Sequence, residues 1–333
     1  MIKEYLQLGR AQTASVEIGG FTIAGILSHT PLWLIIIYAF MGLLTHLAGF
    51  GENSISDLKY DKSDPNKQKH PLVSGKISLT QGWRFVLFLQ TIVILFVSII
   101  VVYRGTYLSL IPFLIFIIFG YIYNHYAKIH KVLGVFSISL SFASIFLTMA
   151  MLWNGSISLL IWSVTIYSFL YVMLQIAILG EIKDIEQSKE NNILRRLGLK
   201  ISFINDKKYY IPSKLVIIFV VGLFFIRWYS LFVISLFTMF SYLIIFLIFN
   251  VATLIIYSYS LRHYSSIHIW NRNKELRNMG LLEAFTYVLL VIALSPVLGI
   301  LATLLLIFIP MLWFIFMNKF LWPETGSSFA PGV

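Results

Sequence analysis

Cysteine is absent from the 333 residues, which excludes disulfides, thiolate metal sites and cysteine nucleophiles. Charge is also scarce, since charged residues make up 12% of the chain, whereas a soluble domain has roughly 25%. Hydrophobic residues account for 59%, so the class of soluble globular proteins is excluded. The first ten residues are too polar to form the apolar core of a signal peptide, and we expect none.

Apolar runs of the length needed to cross a membrane recur along the chain. A transmembrane helix needs roughly 20 residues to cross about 30 Å of hydrocarbon. The runs lie at 12–28, 31–52, 82–103, 107–124, 132–153, 156–180, 212–228, 230–258, 281–297 and 298–320. We therefore predict an all-α, polytopic membrane protein of one domain (1–333) with nine or ten transmembrane helices, ten being preferred, around a central cavity with cytoplasmic helical caps.

The net charge of +11 is distributed unevenly over this arrangement. All of the 25 lysines and arginines except Arg104 and Arg227 fall on one side of a ten-span zigzag. The positive-inside rule makes that side cytoplasmic, and clustered cations in a membrane protein favour anionic lipids over nucleic acid as partners. Apart from Glu17 and Glu283, which lie in or at the start of helices, the acidic residues fall on the same side although the rule does not govern them, which indicates a chemical role.

The first acidic motif spans 53–64, where the second apolar run ends. Asn53, Asp57 and Asp61 are four residues apart and would share one face of a helix. Neighbouring carboxylates of this kind suit Mg²⁺, and the cations that follow would neutralise a diphosphate: Lys67, Lys69 and His70. The alternative is a solvated loop, but His46, two turns upstream, extends the polar stripe into the membrane.

The second acidic motif spans 181–190, after the sixth apolar run. Glu181 and Asp184 are three residues apart, Glu186 and Glu190 follow, and Gln175 precedes them. Acidic residues at a helix C-terminus oppose the helix dipole, although an ordinary acidic helix end is the alternative. Together the two motifs predict two metal clamps that face each other across a cavity.

These two motifs resemble those of the UbiA superfamily of intramembrane prenyltransferases. The family's first motif, N-D-x-x-D-x-x-x-D, is matched by Asn53, Asp57 and Asp61, and its basic segment by 69–78. The second motif is matched by Lys183-Asp184-Ile185-Glu186. Ser54 replaces the usual aspartate of the first motif. In the second, Gln187 and Ser188 stand where relatives carry acids, so Glu181, Glu186 or Glu190 would have to supply a carboxylate.

The resemblance implies a prenyl diphosphate held through Mg²⁺, as two ions that bridge the diphosphate, with its isoprenoid tail in a tunnel open to lipid. We assign catalysis to Asp57, Asp61, Asp184 and Asn53, and metal binding to these four with Glu181 and Glu186. Substrate binding is assigned to Lys67, Lys69, His70, Lys128, Lys183, Tyr123, Arg10 and Glu17. An interfacial aromatic belt is the alternative for Tyr123, and pairing with a nearby cation is the alternative for Glu17.

The predicted function is Mg²⁺-dependent transfer of a prenyl group from an allylic diphosphate to a lipid-soluble or aromatic acceptor, in a multi-pass cell-membrane protein. A terpene cyclase of the same superfamily and a transporter with acidic metal sites are the alternatives. Transporters usually bind substrate near the membrane midplane, whereas these acids lie at helix ends. The sequence does not select the acceptor, the prenyl chain length or the oligomeric state.

Overall fold

The computed structural model describes residues 1–64, 67–126, 130–183, 185 and 192–323, with Lys183 described by its backbone alone. The helices are α1 (Ile2–Leu8), α2 (Ser15–Leu27), α3 (Leu32–Asp61), α4 (Leu79–Arg104), α5 (Leu110–Tyr126), α6 (Lys131–Met151), α7 (Leu159–Leu174), α8 (Glu181–Lys183), α9 (Ile193–Arg196), α10 (Lys214–Met239), α11 (Leu243–Ser265), α12 (Arg272–Leu298) and α13 (Ile300–Leu321). The strands are β1 (Lys200–Ile204), β2 (Lys207–Ile211) and β3 (His268–Ile269).

Nine helices among the described residues are long and apolar enough to cross a membrane, the lower of the two predicted numbers. The polytopic helical fold is thereby confirmed, and the chain is an integral multi-pass membrane protein. The first apolar run forms the turn Ala11–Thr13 and the 13-residue α2, which at 1.5 Å per residue is about 20 Å long and therefore shorter than the nine. The helical conformation is interrupted before α2 at Arg10, whose φ of 49° is left-handed.

The boundary between the seventh and eighth predicted spans was placed wrongly. The prediction ended one helix at 228, next to the charge of Arg227, whereas α10 continues to Met239 and carries Arg227 near its middle. Arg227 is 1% exposed, and its guanidinium lies 4.6 Å from the ring centre of Tyr171 and 5.8 Å from that of Tyr167. Aromatic faces stabilise this cation inside the protein, so its charge does not mark a helix end.

The last long apolar run divides as predicted. Pro296 lies in the final turn of α12, and Gly299 follows with a φ of 78°, which a glycine adopts without strain. Helix α13 begins directly afterwards at Ile300.

A three-stranded antiparallel sheet with the order β1-β2-β3 lies among the polar connections, for which only helical caps were predicted. Strands β1 and β2 form a hairpin whose register pairs Lys200 with Ile211. Asn205 and Asp206 form its turn with positive φ, a conformation that these two residue types tolerate. The local sequence contains this signal, since a two-residue turn separates two runs with aromatic and β-branched residues.

The chain forms two compact units. The first contains Met1–Leu114, Ile145–Ile157 and Leu304–Val333, and the second contains Ile115–Ser144 and Ser158–Thr303. The first acidic motif belongs to the first unit, in which α2, α3 and α4 pack together. The second motif belongs to the second unit, in which α10 packs against α7, α11 and α12.

Candidate active site

The first acidic motif lies on the cytoplasm-facing end predicted for α3, and the helix continues without interruption to Asp61. This continuity puts Asn53, Asp57 and Asp61 on one face, as predicted. Asn53 Nδ2 donates a hydrogen bond of 3.1 Å to Asp57 Oδ2, and Asp57 Oδ1 is buried. Asp61 is buried as well, with Lys67 Nζ 3.4 Å from its Oδ1. The structure thus brings four of the predicted site residues together.

A buried polar network lies two turns before this face. Glu17 Oε2 is 2.9 Å from His46 Nδ1, and His46 Nε2 is 3.1 Å from the Arg10 carbonyl oxygen. The Arg10 guanidinium lies 5.4 Å from the ring centre of Phe50. Glu17 therefore pairs with a neighbouring basic residue in this structure, and its role in acceptor binding stays a prediction, as does substrate binding by Arg10.

His70 and Lys69 differ in environment although both belong to the basic segment. Lys69 is exposed, whereas His70 is half-buried. Burial, together with the positive charges of Arg10 and Lys67, lowers the pKa of His70 to about 3. His70 is therefore neutral at pH 7 in this structure, so it offers a diphosphate a hydrogen-bond donor and no charge.

The sequence interpretation missed Glu52, which lies on α3 next to Asn53. Its side chain is buried, and its Oε2 accepts a 2.7 Å hydrogen bond from Gln90 Nε2 of α4. The carboxamide of Gln90 inside an apolar run was the signal, because a buried amide in a membrane helix requires a polar partner. This contact ties the two helices together directly beside the acidic face.

The second motif begins at a local change of helix type. Gln175–Gly180 form a π-helical turn between α7 and α8, and such turns are frequent at functional sites. Glu181 is buried, its Oε1 is 3.4 Å from Lys131 Nζ, and its Oε2 accepts a 2.7 Å hydrogen bond from the backbone of Ile193. Each carboxylate oxygen of Glu181 is therefore already paired with a cation or an N–H group of the protein. The contact with Ile193 also anchors the start of α9.

The remaining predicted residues of this motif are described only in part. Asp184, Glu186, Glu190 and Lys128 lie outside the described residues, and Lys183 is described only as the last residue of α8. Tyr123 is half-buried near the end of α5, where the rings of Tyr121 and His125 are 4.3 Å apart. Both interpretations of Tyr123, in an aromatic belt or near a diphosphate, stay open.

A family model described as the UbiA prenyltransferase family matches residues 18–278. This match covers more than half of the chain and includes both acidic motifs. The chain belongs to this family. The prediction made from the two motifs is therefore confirmed at the level of the family.

Solved structures of UbiA proteins share the fold. One of digeranylgeranylglyceryl phosphate synthase has a TM-score of 0.56 at 20% identity, covering 92% of this chain and 99% of that one. A UbiA homologue from Aeropyrum pernix K1 gives 0.60 at 17% identity, covering 84% and 96%. One from Archaeoglobus fulgidus, bound to GPP and Mg²⁺, gives 0.53 at 16% identity, covering 88% and 99%. No significant match was found among curated proteins.

The departure from the UbiA motif at Ser54 has a structural explanation. The Ser54 side chain points away from the acidic face, is 1% exposed, and donates a 3.2 Å hydrogen bond to the carbonyl oxygen of Leu8 at the end of α1. An ionised carboxylate at this position has no proton to donate and would be buried against that carbonyl. Serine therefore fits the packing of α1 on α3.

Proposed function

We propose that this protein is a Mg²⁺-dependent prenyltransferase that transfers a prenyl group from an allylic diphosphate to a lipid-soluble or aromatic acceptor. The observation that carries the proposal is the acidic face of α3, where Asn53 bonds to Asp57 and Asp61 lies beside Lys67. Membership of the UbiA prenyltransferase family supports the reaction class. The Archaeoglobus fulgidus homologue, which was solved with GPP or DMAPP and Mg²⁺, supports the donor and the metal.

The donor atoms of this face fit Mg²⁺. Carboxylate and amide oxygens are hard ligands, and Mg²⁺ is usually held by one or two carboxylates plus substrate phosphates. We assign Asp57 and Asp61 as ligands in the first motif, with Asn53 ligating or orienting Asp57, and we propose two ions per chain. Bound Mg²⁺ would stabilise the negative charge that develops on the departing diphosphate.

The protein's own groups have separate tasks in this reaction. Lys67 already lies against Asp61, so it can move onto a diphosphate oxygen when the carboxylate binds metal. Lys69 is exposed, so its side chain can reach the same anion by a change of rotamer. The C1–O bond breaks with its electron pair leaving on the diphosphate, and the acceptor forms a bond to C1 and loses a proton. Apolar helix surfaces exclude the water that would otherwise capture the allylic cation.

The second motif is proposed to serve the same reaction through Asp184, with Lys183 as a diphosphate ligand. Glu181 is the less suitable ligand of this motif, since Lys131 and the Ile193 backbone already use its oxygens. Glu186 would then supply the additional carboxylate. The uneven distribution of lysine and arginine supports a cytoplasmic location for both motifs.

The test is turnover by the purified protein in lipid nanodiscs, with geranylgeranyl diphosphate and a panel of aromatic and glycerophosphate-lipid acceptors. We expect Mg²⁺-dependent release of diphosphate together with a prenylated acceptor. Asp57→Asn and Asp61→Asn should each reduce kcat by about 100-fold or more, the usual loss when one electrostatic stabiliser is removed. Asp206→Asn, in the exposed hairpin turn where asparagine also tolerates positive φ, is the matched control.

Product analysis separates the alternatives. If diphosphate is released together with a cyclised hydrocarbon and no acceptor adduct forms, the protein is a terpene cyclase and not a prenyltransferase. Normal turnover in Asp57→Asn, with wild-type thermal stability, would refute the assignment of the acidic face to catalysis.

A further inference from the structure

Two histidines and a buried glutamate meet where α11 ends and α12 begins, and the acidic motifs do not include them. His263 lies in the last turn of α11, His268 in β3, and Glu275 in the first turn of α12. The Glu275 side chain is fully buried, while those of His263 and His268 are 20% and 16% exposed. His263 Nε2 is 3.0 Å from Glu275 Oε2, and His268 Nε2 is 3.2 Å from Glu275 Oε1.

The hydrogen bonds around His268 determine which of its nitrogens has a lone pair. Nδ1 lies 3.0 Å from the carbonyl oxygen of Ser266, which can only accept, so Nδ1 carries the hydrogen. In a neutral ring Nε2 is then the lone-pair nitrogen, and it is directed at a carboxylate oxygen. Two lone pairs in this arrangement repel each other unless a cation lies between them.

At His263 too, a nitrogen without a hydrogen faces the carboxylate. Its Nε2 faces both oxygens of the same carboxylate, and it is also 3.3 Å from Asn278 Nδ2, an amide group that donates. A nitrogen that accepts from Asn278 carries a lone pair and has no hydrogen to donate to Glu275. The two imidazole rings are only 4.1 Å apart, so two cationic rings would repel each other. One divalent cation satisfies all three side chains with both rings neutral.

We propose that His263, His268 and Glu275 bind a Zn²⁺ ion. Their ligand atoms all lie within 4.8 Å of one another. Zinc bonds of about 2.0–2.2 Å in a tetrahedron put neighbouring ligand atoms roughly 3.3 Å apart, and Glu275 Oε1 lies 3.3 Å from His263 Nε2 and 3.2 Å from His268 Nε2. Imidazole nitrogens suit Zn²⁺ and other late first-row metals, whereas Mg²⁺ prefers oxygen. Two histidines and one glutamate leave a fourth position, which water or the oxygen of a rotated Asn278 amide can fill.

Neighbouring groups already hold the ligands in place. The Ser266 carbonyl orients His268 in the way that backbone carbonyls orient zinc-bound histidines. The Tyr210 ring stacks on His268 with 4.6 Å between ring centres, and its hydroxyl donates to the Tyr264 carbonyl oxygen at 3.0 Å. The partial exposure of both imidazoles provides a route of entry. The ion would fasten the end of α11, the strand β3 and the start of α12 to one another.

The experiment uses the full-length protein without a histidine tag, treated with EDTA and dialysed. Zn²⁺ is added without prenyl diphosphate, and bound metal is measured by competition with a chromogenic chelator and by elemental analysis. We expect one Zn²⁺ per chain, a melting temperature raised by several degrees, and visible absorption typical of tetrahedral coordination when Co²⁺ replaces Zn²⁺. Mg²⁺ in tenfold excess should not displace the ion.

Variants decide whether these residues are the ligands. His263→Ala, His268→Ala and Glu275→Gln should each lower the affinity for Zn²⁺ at least tenfold, while His29→Asn should retain it, since His29 is exposed and asparagine tolerates its positive φ. The metal-free melting temperature of each variant identifies any that fails to fold, and Glu275→Gln keeps the shape of the side chain. Absence of stoichiometric binding, or unchanged binding in folded variants, would overturn the proposal and leave the cluster as a hydrogen-bonded ion pair.

Discussion

Replacement of Gly42 by alanine tests how closely α2 supports the helix that carries the acidic face. A Cβ at residue 42 would lie 2.7 Å from the Glu17 carbonyl oxygen and 3.0 Å from both the Glu17 carbonyl carbon and the Ile18 Cα. The first distance is 0.7 Å below the 3.4 Å at which ordinary contact begins. All three atoms are backbone, so no side chain can rotate away and the two helices must separate.

The expected change in the free energy of unfolding follows from two opposing effects. Alanine favours a helix over glycine by about 1 kcal/mol, whereas forced overpacking costs typically 1–3 kcal/mol. Gly49→Ala in the same helix isolates the first effect, because a Cβ there meets nothing within 4 Å. We therefore expect the free energy of unfolding of Gly42→Ala to be about 1–3 kcal/mol lower than that of Gly49→Ala.

The assay is reversible unfolding of both variants by SDS in mixed micelles, followed by circular dichroism, with prenyl transfer measured on the same preparations. Gly42→Ala should also lose activity, since separation of the helices displaces Glu17 from His46 below the acidic face. Equal or greater stability of Gly42→Ala compared with Gly49→Ala would refute the close packing of these helices.

Two further predictions concern the surroundings of the acidic face. Restoring the family's residue by Ser54→Asp should destabilise the protein more than Ser54→Ala, because it buries a carboxylate against the Leu8 carbonyl and loses the 3.2 Å hydrogen bond; thermal unfolding checks this, and equal melting temperatures would contradict it. The melting temperature should fall as the pH decreases from 7 to 5. The reason is that the lowered pKa of His70, about 3 in the folded protein against 6.5 for a free histidine, leaves the unfolded chain with more bound protons in this range. His70→Asn should reduce that pH dependence, and an unchanged slope would show that His70 does not cause it.

Much of the site could be predicted because its chemistry is local. Asn53, Asp57 and Asp61 share a face in any continuous helix, so their spacing alone was sufficient once α3 was known to extend past the membrane. The transmembrane helices could also be predicted from local sequence, because the length of an apolar run is set by the thickness of the bilayer and not by the partner helices. Even the division of the last run is marked in the sequence, by Pro296 and by Gly299 three residues later.

Contacts between distant residues could not be predicted in this way. Glu52 was missed because its partner is on another helix. The helix end at 228 was predicted wrongly because the aromatic neighbours that allow Arg227 to lie inside a helix come from distant parts of the chain. Glu181 was assigned to a metal from its position in the motif, whereas its hydrogen bond to Ile193 depends on how the following loop folds back.

The sequence by itself determined that this is a polytopic helical membrane protein with a carboxylate face at the end of one helix, because hydrophobic length and helical spacing are properties of short segments. Only the tertiary structure decided which polar groups are already paired. Burial and distance, which set the strength of a polar contact, arise when separate segments pack. That is why the packing reason for Ser54 and the cluster of His263, His268 and Glu275 became recognisable only when the fold brought these residues together with their partners.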